Sequence, residues 1–280
     1  MLVAGFSFAC MGIFVKLGSA HFSPIELVFY RSVFGFLFIC LFVRARGLSL
    51  HTRYRNLHLS RALFTMLSLL LYFYAIAHLS VPVAVTLLNT APLFLIPLAL
   101  FALKERPNRF QVFGIIVGFS GVILLLQPQT YGADVGPVLI GLGAGFLHAV
   151  SLIGVRQLGA LNEPEWKLVF YLTLFCTLVT GVWLSLTSMS PLTSVNVAIL
   201  LGLGVTATAG QLALSRAYKM GRTLFVASLS YSNVVFASVL VAVLWGEILP
   251  LWGWVSFVVI AIGGICAAVK RPKLEVGAKT

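Results

Sequence analysis

Charged residues are scarce in this chain of 280 residues. Asp, Glu, Lys and Arg make up only 9% of the sequence, whereas 60% of the residues are hydrophobic. A soluble domain carries roughly a quarter charged residues. The mean hydropathy is +1.05. This composition excludes an ordinary water-soluble domain and predicts an integral membrane protein.

The sequence also lacks the short motifs of common enzyme classes. It has no GxSxG, no HExxH, no Walker lysine loop and no pair of carboxylates within one apolar run. The four cysteines, Cys10, Cys40, Cys176 and Cys266, each lie in an apolar run without CxxC spacing. We therefore predict no enzymatic activity, no cofactor, no metal site and no direct use of ATP.

The net charge of +12 does not indicate a nucleic-acid partner. Lys and Arg lie between the apolar runs instead of forming a patch on a water-exposed body. The bilayer and a small solute are the partners that this pattern predicts. Met1 opens directly into an apolar run, which argues against a cleaved signal peptide.

Long apolar runs recur along the whole chain. Each is close to the roughly 20 residues that a membrane-spanning helix needs, and none alternates as a membrane β-strand does. We predict an all-α membrane protein with ten spans, near Leu2–Ser19, Pro24–Val43, Ser60–Leu79, Val83–Leu103, Phe110–Leu126, Pro137–Val155, Trp166–Thr187, Val197–Ser215, Leu224–Trp245 and Leu251–Val269.

The basic residues alternate between the predicted loops. All Lys and Arg except Lys16 and Arg31 fall in one set of alternate loops or in the C-terminal tail, Arg61 among them. The opposite loops, near 78–82, 127–136, 188–195 and 246–250, contain no Lys or Arg. By the positive-inside rule, this pattern predicts a multi-pass protein of the bacterial inner membrane with both termini in the cytoplasm.

The two halves of the chain share an ordered series of landmarks. Val15-Lys16, Pro24 and Leu27–Tyr30 match Val155-Arg156, Pro164 and Leu168–Tyr171 at an offset of 140 to 141 residues. Because each half holds five spans, the halves must have opposite orientations, which is the inverted-repeat plan of secondary transporters. We predict one repeat at 1–126, a second at 137–269 and a cytoplasmic tail at 270–280.

Several short motifs in this order resemble one known family. They are Pro24–Arg31, Ala91–Phe94, Lys104–Pro107, Gly114–Leu125 and Trp245–Glu247. The chain resembles the EamA-type transporters of the drug/metabolite transporter superfamily. It departs from that pattern at Val234, where a proline is expected, and at 246–248, which lacks the usual basic residue. The resemblance implies a ten-helix carrier with a central cavity, lined in part by the stretch around His148.

Three charged residues lie within or at the ends of the predicted spans. Lys16 closes the first span and Glu26 opens the second, so we expect them to pair across a short turn. Arg31 lies five residues beyond Glu26, about 7.5 Å along the helix. A charge at that depth needs a partner or water. Arg31 is either structural or faces the cavity, where its guanidinium would suit a carboxylate or phosphate.

Uncharged polar side chains recur on single helix faces of the spans. They either form interhelical hydrogen bonds or line the solute site. His148 and Ser151 share one face, and His148 and Glu26 are the predicted proton-coupling groups because they titrate. The candidate substrate-binding residues are Arg31, Tyr72, Asn89, His148, Ser151, Gln211, Tyr231 and Asn233.

Proline and glycine have separate predicted roles. Pro92 and Pro97 are expected to kink the fourth span, either as a static bend or as part of a gate. Small residues in the fifth and tenth spans allow close helix contacts, either within the fold or in a homodimer.

These features favour a secondary transporter that works by alternating access. Its predicted solute is a small organic metabolite, such as an amino acid, a nucleoside, an S-adenosylmethionine-like or vitamin-like compound, or a drug-like molecule. Proton coupling and facilitated exchange both remain open. The alternatives are an intramembrane enzyme or a helical scaffold without transport activity.

Overall fold

The computed structural model describes residues 1–103, 109–125, 135–187, 189–220, 226, 229–230, 232–246 and 251–268. Within these ranges the chain is helical and contains no strand. The motif at Lys104–Pro107, the candidate residue Tyr231, the residue Glu247 and the tail at 270–280 lie outside the described residues. The helices are α1 (Leu2–Gly18), α2 (Pro24–Ala45), α3 (Arg55–His78), α4 (Val81–Leu88), α5 (Ala91–Leu103), α6 (Arg109–Leu125), α7 (Val135–Ala160), α8 (Glu165–Ser185), α9 (Ser194–Met220), α10 (Ser232–Trp245) and α11 (Leu251–Ala268).

Five of these helices are long and apolar enough to cross a membrane. They are α2, α3, α7, α8 and, over Asn196–Met220, α9. Shorter apolar helices occupy Leu2–Gly18, Val81–Leu95, Ser232–Trp245 and Leu251–Gly263. The predicted class, a helical multi-pass membrane protein, is therefore confirmed.

The third span begins earlier than the apolar run predicts. Helix α3 starts at Arg55 instead of Ser60, so Arg61 lies in its second turn and not at its beginning, and it is only 3% exposed. The expectation that Arg61 lies in a loop is wrong. The physical reason is that its guanidinium finds acceptors inside the protein, the backbone oxygen of Leu168 and the side-chain oxygen of Gln211.

The fourth span is divided into α4 and α5 by a turn at Asn89-Thr90, directly before Pro92. The side chains of the turn residues donate to two carbonyls at the end of α4, which also accept from the backbone N–H groups of Asn89 and Thr90. Asn89 Nδ2 donates to Val85 O at 2.8 Å, and Thr90 Oγ1 donates to Leu87 O at 2.7 Å. The expected distortion near Pro92 is thus a break in the helix, because proline has no N–H with which to continue the helical hydrogen bonds.

Helices from the first half of the chain pack mainly against helices from the second half. Helix α1 contacts α9 and α10, α3 contacts α7 and α8, and α4 and α5 contact α7. Further contacts join α2 with α8 and α9, α4 with α10, and α6 with α11. The core of the protein is therefore an interface between its two halves.

Glycine permits two of these contacts. A Cβ at Gly145 of α7 would lie 2.6 Å from both Leu87 O and Thr90 Oγ1, so only glycine lets α7 approach the break between α4 and α5. A Cβ at Gly263 of α11 would overlap the backbone of Gly118 in α6. These small-residue faces pack against each other inside the chain, and their role in a homodimer stays a prediction.

Candidate functional site

A cavity lies at the interface between the two halves. Its walls come from α1, α3, the α4–α5 break, α7, α9 and the beginning of α10. The space open to the centres of water molecules is about 50 Å³. Five of the predicted substrate-binding residues line it together: Tyr72, Asn89, His148, Gln211 and Asn233.

Two polar atoms on the cavity wall have no partner among the described residues. The hydroxyl of Tyr72 and the Oδ1 atom of Asn233 are both buried and make no hydrogen bond. Tyr72 is 1% exposed and Asn233 5% exposed. A buried polar group without a partner costs about 1–3 kcal/mol. These atoms are therefore available to a polar ligand or to water in the cavity.

Other polar side chains on the same wall are occupied by contacts between helices. Ser68 Oγ donates to Ala144 O at 2.8 Å, and the hydroxyls of Thr65 and Ser151 are hydrogen-bonded to each other. Both contacts join α3 to α7. Ser151 is thus placed behind Thr65 and is not among the residues that line the cavity. These bonds fix the positions of the neighbouring residues, including His148.

Arg31 is buried but is not among the lining residues of the cavity. It is 2% exposed, and its Nε and Nη1 atoms have no hydrogen-bond partner within the described ranges. Helices α2 and α3, which carry Arg31 and Arg61, contact each other, and α8 contacts both of them. The structure therefore places two arginines in one buried region, where the sequence predicts only the first.

The sequence contains a signal that would identify Arg61. Arg61, Thr65, Ser68 and Tyr72 have the spacing i, i+4, i+7 and i+11, which places them on one face of α3. Three of them line the cavity, and Arg61 is one turn before the first. A loop position for Arg61 is incompatible with this shared helix face, so the sequence analysis does not include Arg61 among the site residues.

The predicted pair of Lys16 and Glu26 does not form. Lys16 Nζ donates at 3.0 Å to the backbone oxygens of Ile76 and Leu79, where α3 ends. Cations are favourable at this position because the helix C-terminus carries partial negative charge. Glu26 instead caps the start of α2 with Ser23 and also accepts a hydrogen bond from Ser190 N at 2.7 Å.

A second polar cluster joins the two halves at the opposite end of α2. Glu163, in the turn between α7 and α8, accepts a hydrogen bond from Thr52 Oγ1 at 2.8 Å. Its carboxylate lies 3.7 Å from His58 Nε2 and 3.6 Å from Lys167 Nζ. Sequence reasoning missed this cluster because Thr52 and His58 lie more than 100 residues from Glu163 in the chain.

Known proteins resemble this chain in sequence and in fold. The pseudopaline exporter CntI of Pseudomonas aeruginosa is 30% identical over 275 residues, which cover 97% of this chain and 95% of that protein. The riboflavin transporter of Vibrio cholerae is 25% identical over 276 residues, which cover 95% of this chain and 91% of that protein. A solved crystal structure has the same fold, with a TM-score of 0.68 and 19% identity over 95% of this chain and 96% of the other.

A family profile matches both halves of the chain. The profile is that of the EamA-like transporter family, and it covers residues 1–127 and 136–269. Together with the curated relatives, which are named as an exporter and a transporter, this match confirms the resemblance seen in the sequence motifs. The chain belongs to the EamA-like transporter family.

Proposed function

We propose that this chain is a secondary transporter that moves a small organic metabolite across the bacterial inner membrane by alternating access. The observation that carries this proposal is the cavity, whose polar walls come from both halves of the chain. A solute bound there contacts both halves at once, so a movement of one half against the other changes its access. Family membership supports transport in preference to catalysis or a scaffold role.

The helix contacts support the proposed inverted repeat of 1–126 and 137–269. If α1, α2, α3, α4–α5 and α6 are exchanged with α7, α8, α9, α10 and α11, the most extensive contacts between the halves become other observed contacts or map onto themselves. The α1–α9 contact becomes α7–α3, the α1–α10 contact becomes α7 with α4 and α5, and α2–α9 becomes α8–α3. We count α4 and α5 as one broken span, which gives ten spans, and we place both termini in the cytoplasm.

The cavity is smaller than a usual site for a small organic molecule, so transport requires it to widen. Ligand sites for small molecules usually occupy about 300–1,000 Å³, whereas the water-accessible space here is about 50 Å³. Contacts between the halves close the protein at both ends of α2, near Glu26 and near Glu163. We infer that the structure represents an occluded form and that the cavity widens when either end opens.

The solute class follows from the walls and from the relatives. The relatives are named for pseudopaline and for riboflavin, which supports a small organic metabolite. Amino acids, nucleosides, S-adenosylmethionine-like compounds, vitamins and drug-like molecules are the classes to test. His148 lines the cavity and Glu26 joins the halves, so both remain the proposed proton-coupling groups.

The proposal is tested in two steps with the purified full-length chain. A thermal-shift screen against amino acids, nucleosides, S-adenosylmethionine, riboflavin and cationic dyes selects a compound, and counterflow of that compound is then measured in proteoliposomes. Asn233→Ala should raise the half-saturating concentration about fivefold, because one hydrogen bond contributes about 1 kcal/mol. Asn196→Ala, which removes a buried asparagine at the start of α9, is the matched control and should leave it unchanged.

Two outcomes would count against the proposed site. One is counterflow that is equally affected by Asn233→Ala and Asn196→Ala, because the effect would then reflect general damage to the fold. The other is counterflow with wild-type kinetics in both Asn233→Ala and Tyr72→Phe, since these variants remove the two unpartnered polar atoms of the cavity wall.

A further inference from the structure

Two arginines are buried together in the interior of this membrane protein. Arg31 of α2 is 2% exposed and Arg61 of α3 is 3% exposed. Helices α2 and α3 contact each other, and α8, which carries Cys176, contacts both of them. Two like charges away from water repel each other and lose hydration, so each needs a compensating group.

The described part of the chain offers no carboxylate to compensate them. Glu26 is engaged by Ser23 and Ser190. Glu163 is engaged by Thr52, with Lys167 and His58 beside it. Glu165 lies in the first turn of α8 and forms no ion pair with either arginine. The remaining four acidic residues of the sequence lie outside the described ranges.

Several donors of the two guanidinium groups are unused. Nε and Nη1 of Arg31 and Nε of Arg61 are buried and have no hydrogen-bond partner among the described residues. Guanidinium groups present their donors as a planar fork, which matches the two oxygens of a carboxylate. Three unused nitrogen donors suit this small, singly charged anion better than a phosphate.

Gln211 connects Arg61 to the cavity. It lines the cavity wall, and its Oε1 atom accepts a hydrogen bond from Arg61 Nη2 at 3.3 Å. Arg61 also precedes Thr65 by one helical turn, and Thr65 lines the same cavity. The amide oxygen of Gln211 therefore occupies the position in which an anionic oxygen from the cavity would meet the guanidinium of Arg61.

From these contacts we propose that Arg31 and Arg61 form a carboxylate-binding site at one end of the cavity and that the transported solute carries a carboxylate. This inference rests on the proposed function, since it names the class of its solute. When the solute binds, its carboxylate replaces the Gln211 oxygen at Arg61 and also reaches the unused donors of Arg31. The solute then supplies the negative charge that the described part of the chain does not.

The site is tested by binding, without any transport assay. Acetate and acetamide have the same shape and differ in charge, and both are small enough to enter the occluded cavity. We expect acetate, titrated into the detergent-purified full-length protein in constant excess sodium chloride, to raise the melting temperature saturably, and acetamide to have no effect. Arg31→Gln and Arg61→Gln should each weaken the acetate response at least about tenfold, as expected when one partner of a buried charge pair is removed.

Gln211→Glu gives a second test that does not require the arginine variants to fold. It keeps the size of the side chain and places a permanent carboxylate against Arg61. We expect this variant to melt at a higher temperature than the wild type without acetate and to lose the acetate response. Gln211→Ala should not raise the melting temperature, which separates the effect of the charge from that of removing the amide.

Three results would overturn the proposal. The first is an equal response of the wild type to acetate and acetamide, including no response to either. The second is a wild-type acetate response in the arginine variants or in Gln211→Glu. The third is stabilisation by inorganic phosphate while acetate is inert. A normal acetate response without counterflow of any compound would instead contradict the proposed function, whereas counterflow of a neutral solute without an acetate response contradicts only the site.

Discussion

Polar contacts join the two halves of the chain at both ends of α2, and the two sets of contacts differ in chemistry. At the end formed by Glu26 and Ser190, called here the Glu26 end, a single carboxylate makes the contact. Glu26 Oε1 accepts from Ser190 N at 2.7 Å, and Oε2 accepts from Ser190 Oγ at 3.3 Å. The same carboxylate caps α2 through Ser23. No ion pair between described residues occurs at this end.

The opposite end, called here the Glu163 end, is held by a network. Besides the contacts of Glu163, Lys167 Nζ donates to His51 O at 2.7 Å, and Tyr171 hydroxyl donates to Leu50 O at 3.0 Å. The rings of His58 and Tyr171 are 4.6 Å apart between centroids. These hydrogen bonds hold the segment before α3, at Leu50 and His51, against α8.

Matched positions in the two halves make contacts of different strength. Glu26 and Lys167 follow the matched prolines Pro24 and Pro164 near the starts of α2 and α8, and each bonds to the segment that follows the other helix. At the Glu26 end a carboxylate accepts from a backbone N–H, and at the Glu163 end an ammonium donates to a backbone carbonyl. The Glu163 end has more hydrogen bonds and more charged groups than the Glu26 end. We therefore expect the Glu26 end to open more readily.

The largest effect is expected from breaking the Glu163 network. Glu163→Ala removes the acceptor of Thr52 and leaves the buried His58 and Lys167 without their carboxylate, so the free energy of unfolding should fall by about 2 kcal/mol. Hydrogen–deuterium exchange in residues 47–54 should become faster. The unfolding free energy is measured by reversible denaturation in mixed micelles.

Glu165→Ala is the matched control for this prediction. It removes a carboxylate two residues away that belongs to the first turn of α8 but not to the network. Its cost should be limited to the helix-dipole contribution of about 0.3–1 kcal/mol, without faster exchange in 47–54. Equal losses in the two variants would show that the network does not hold this end.

The apolar runs were sufficient to predict most of the fold. They predicted helices at α1, α2 and α3 and at α7, α8 and α9, because continuous hydrophobicity over about 20 residues has one stable solution in a bilayer. The runs could not show where a span is interrupted inside the protein. The break at Asn89-Thr90 depends on side chains that donate to carbonyls and on the close approach of Gly145.

The site was predictable only in part. Helical spacing identified Tyr72, Asn89, Gln211 and Asn233 as polar positions, and the structure brings them to one cavity with His148. The contacts of the charged residues were not predictable, because they are set by segments far apart in sequence. The neighbours of Arg61 in sequence predict a loop there. Proximity along the chain predicts a pair of Lys16 with Glu26, although Lys16 binds the end of α3.

A smaller effect is expected at the Glu26 end. Glu26→Gln leaves one side-chain acceptor oxygen for two backbone donors, Ser190 N and Ser23 N, which bind different oxygens of the carboxylate. It also removes the charge that strengthens these hydrogen bonds. The free energy of unfolding should fall by about 1 kcal/mol, and exchange in residues 189–193 should become faster while 47–54 is unchanged. A loss larger than that of Glu163→Ala would reverse the order of the two ends.

The same variant also tests proton coupling. Protonation of Glu26 removes the same charge as Glu26→Gln, so a proton that binds there would loosen this end. If Glu26 couples transport to protons, uptake in proteoliposomes should lose its dependence on an imposed proton gradient in Glu26→Gln and keep it in His148→Gln. The opposite pattern assigns coupling to His148, and dependence in both variants excludes both residues.

The smallest effect is expected from Ser190→Ala, which separates the two bonds of the Glu26 end. The substitution removes only the hydroxyl, whose bond to Glu26 Oε2 is 3.3 Å long, and keeps the backbone N–H, whose bond to Oε1 is 2.7 Å. Because the remaining bond is the shorter one to a charged acceptor, the loss should be about 0.5 kcal/mol. Combining Ser190→Ala with Glu26→Ala, which removes both carboxylate oxygens, gives a double-mutant cycle. A coupling energy close to the loss of Ser190→Ala alone is expected if the hydroxyl acts only through Glu26. Additive losses would instead mean that Ser190 stabilises its own segment, in which case the tie at this end consists of one backbone hydrogen bond.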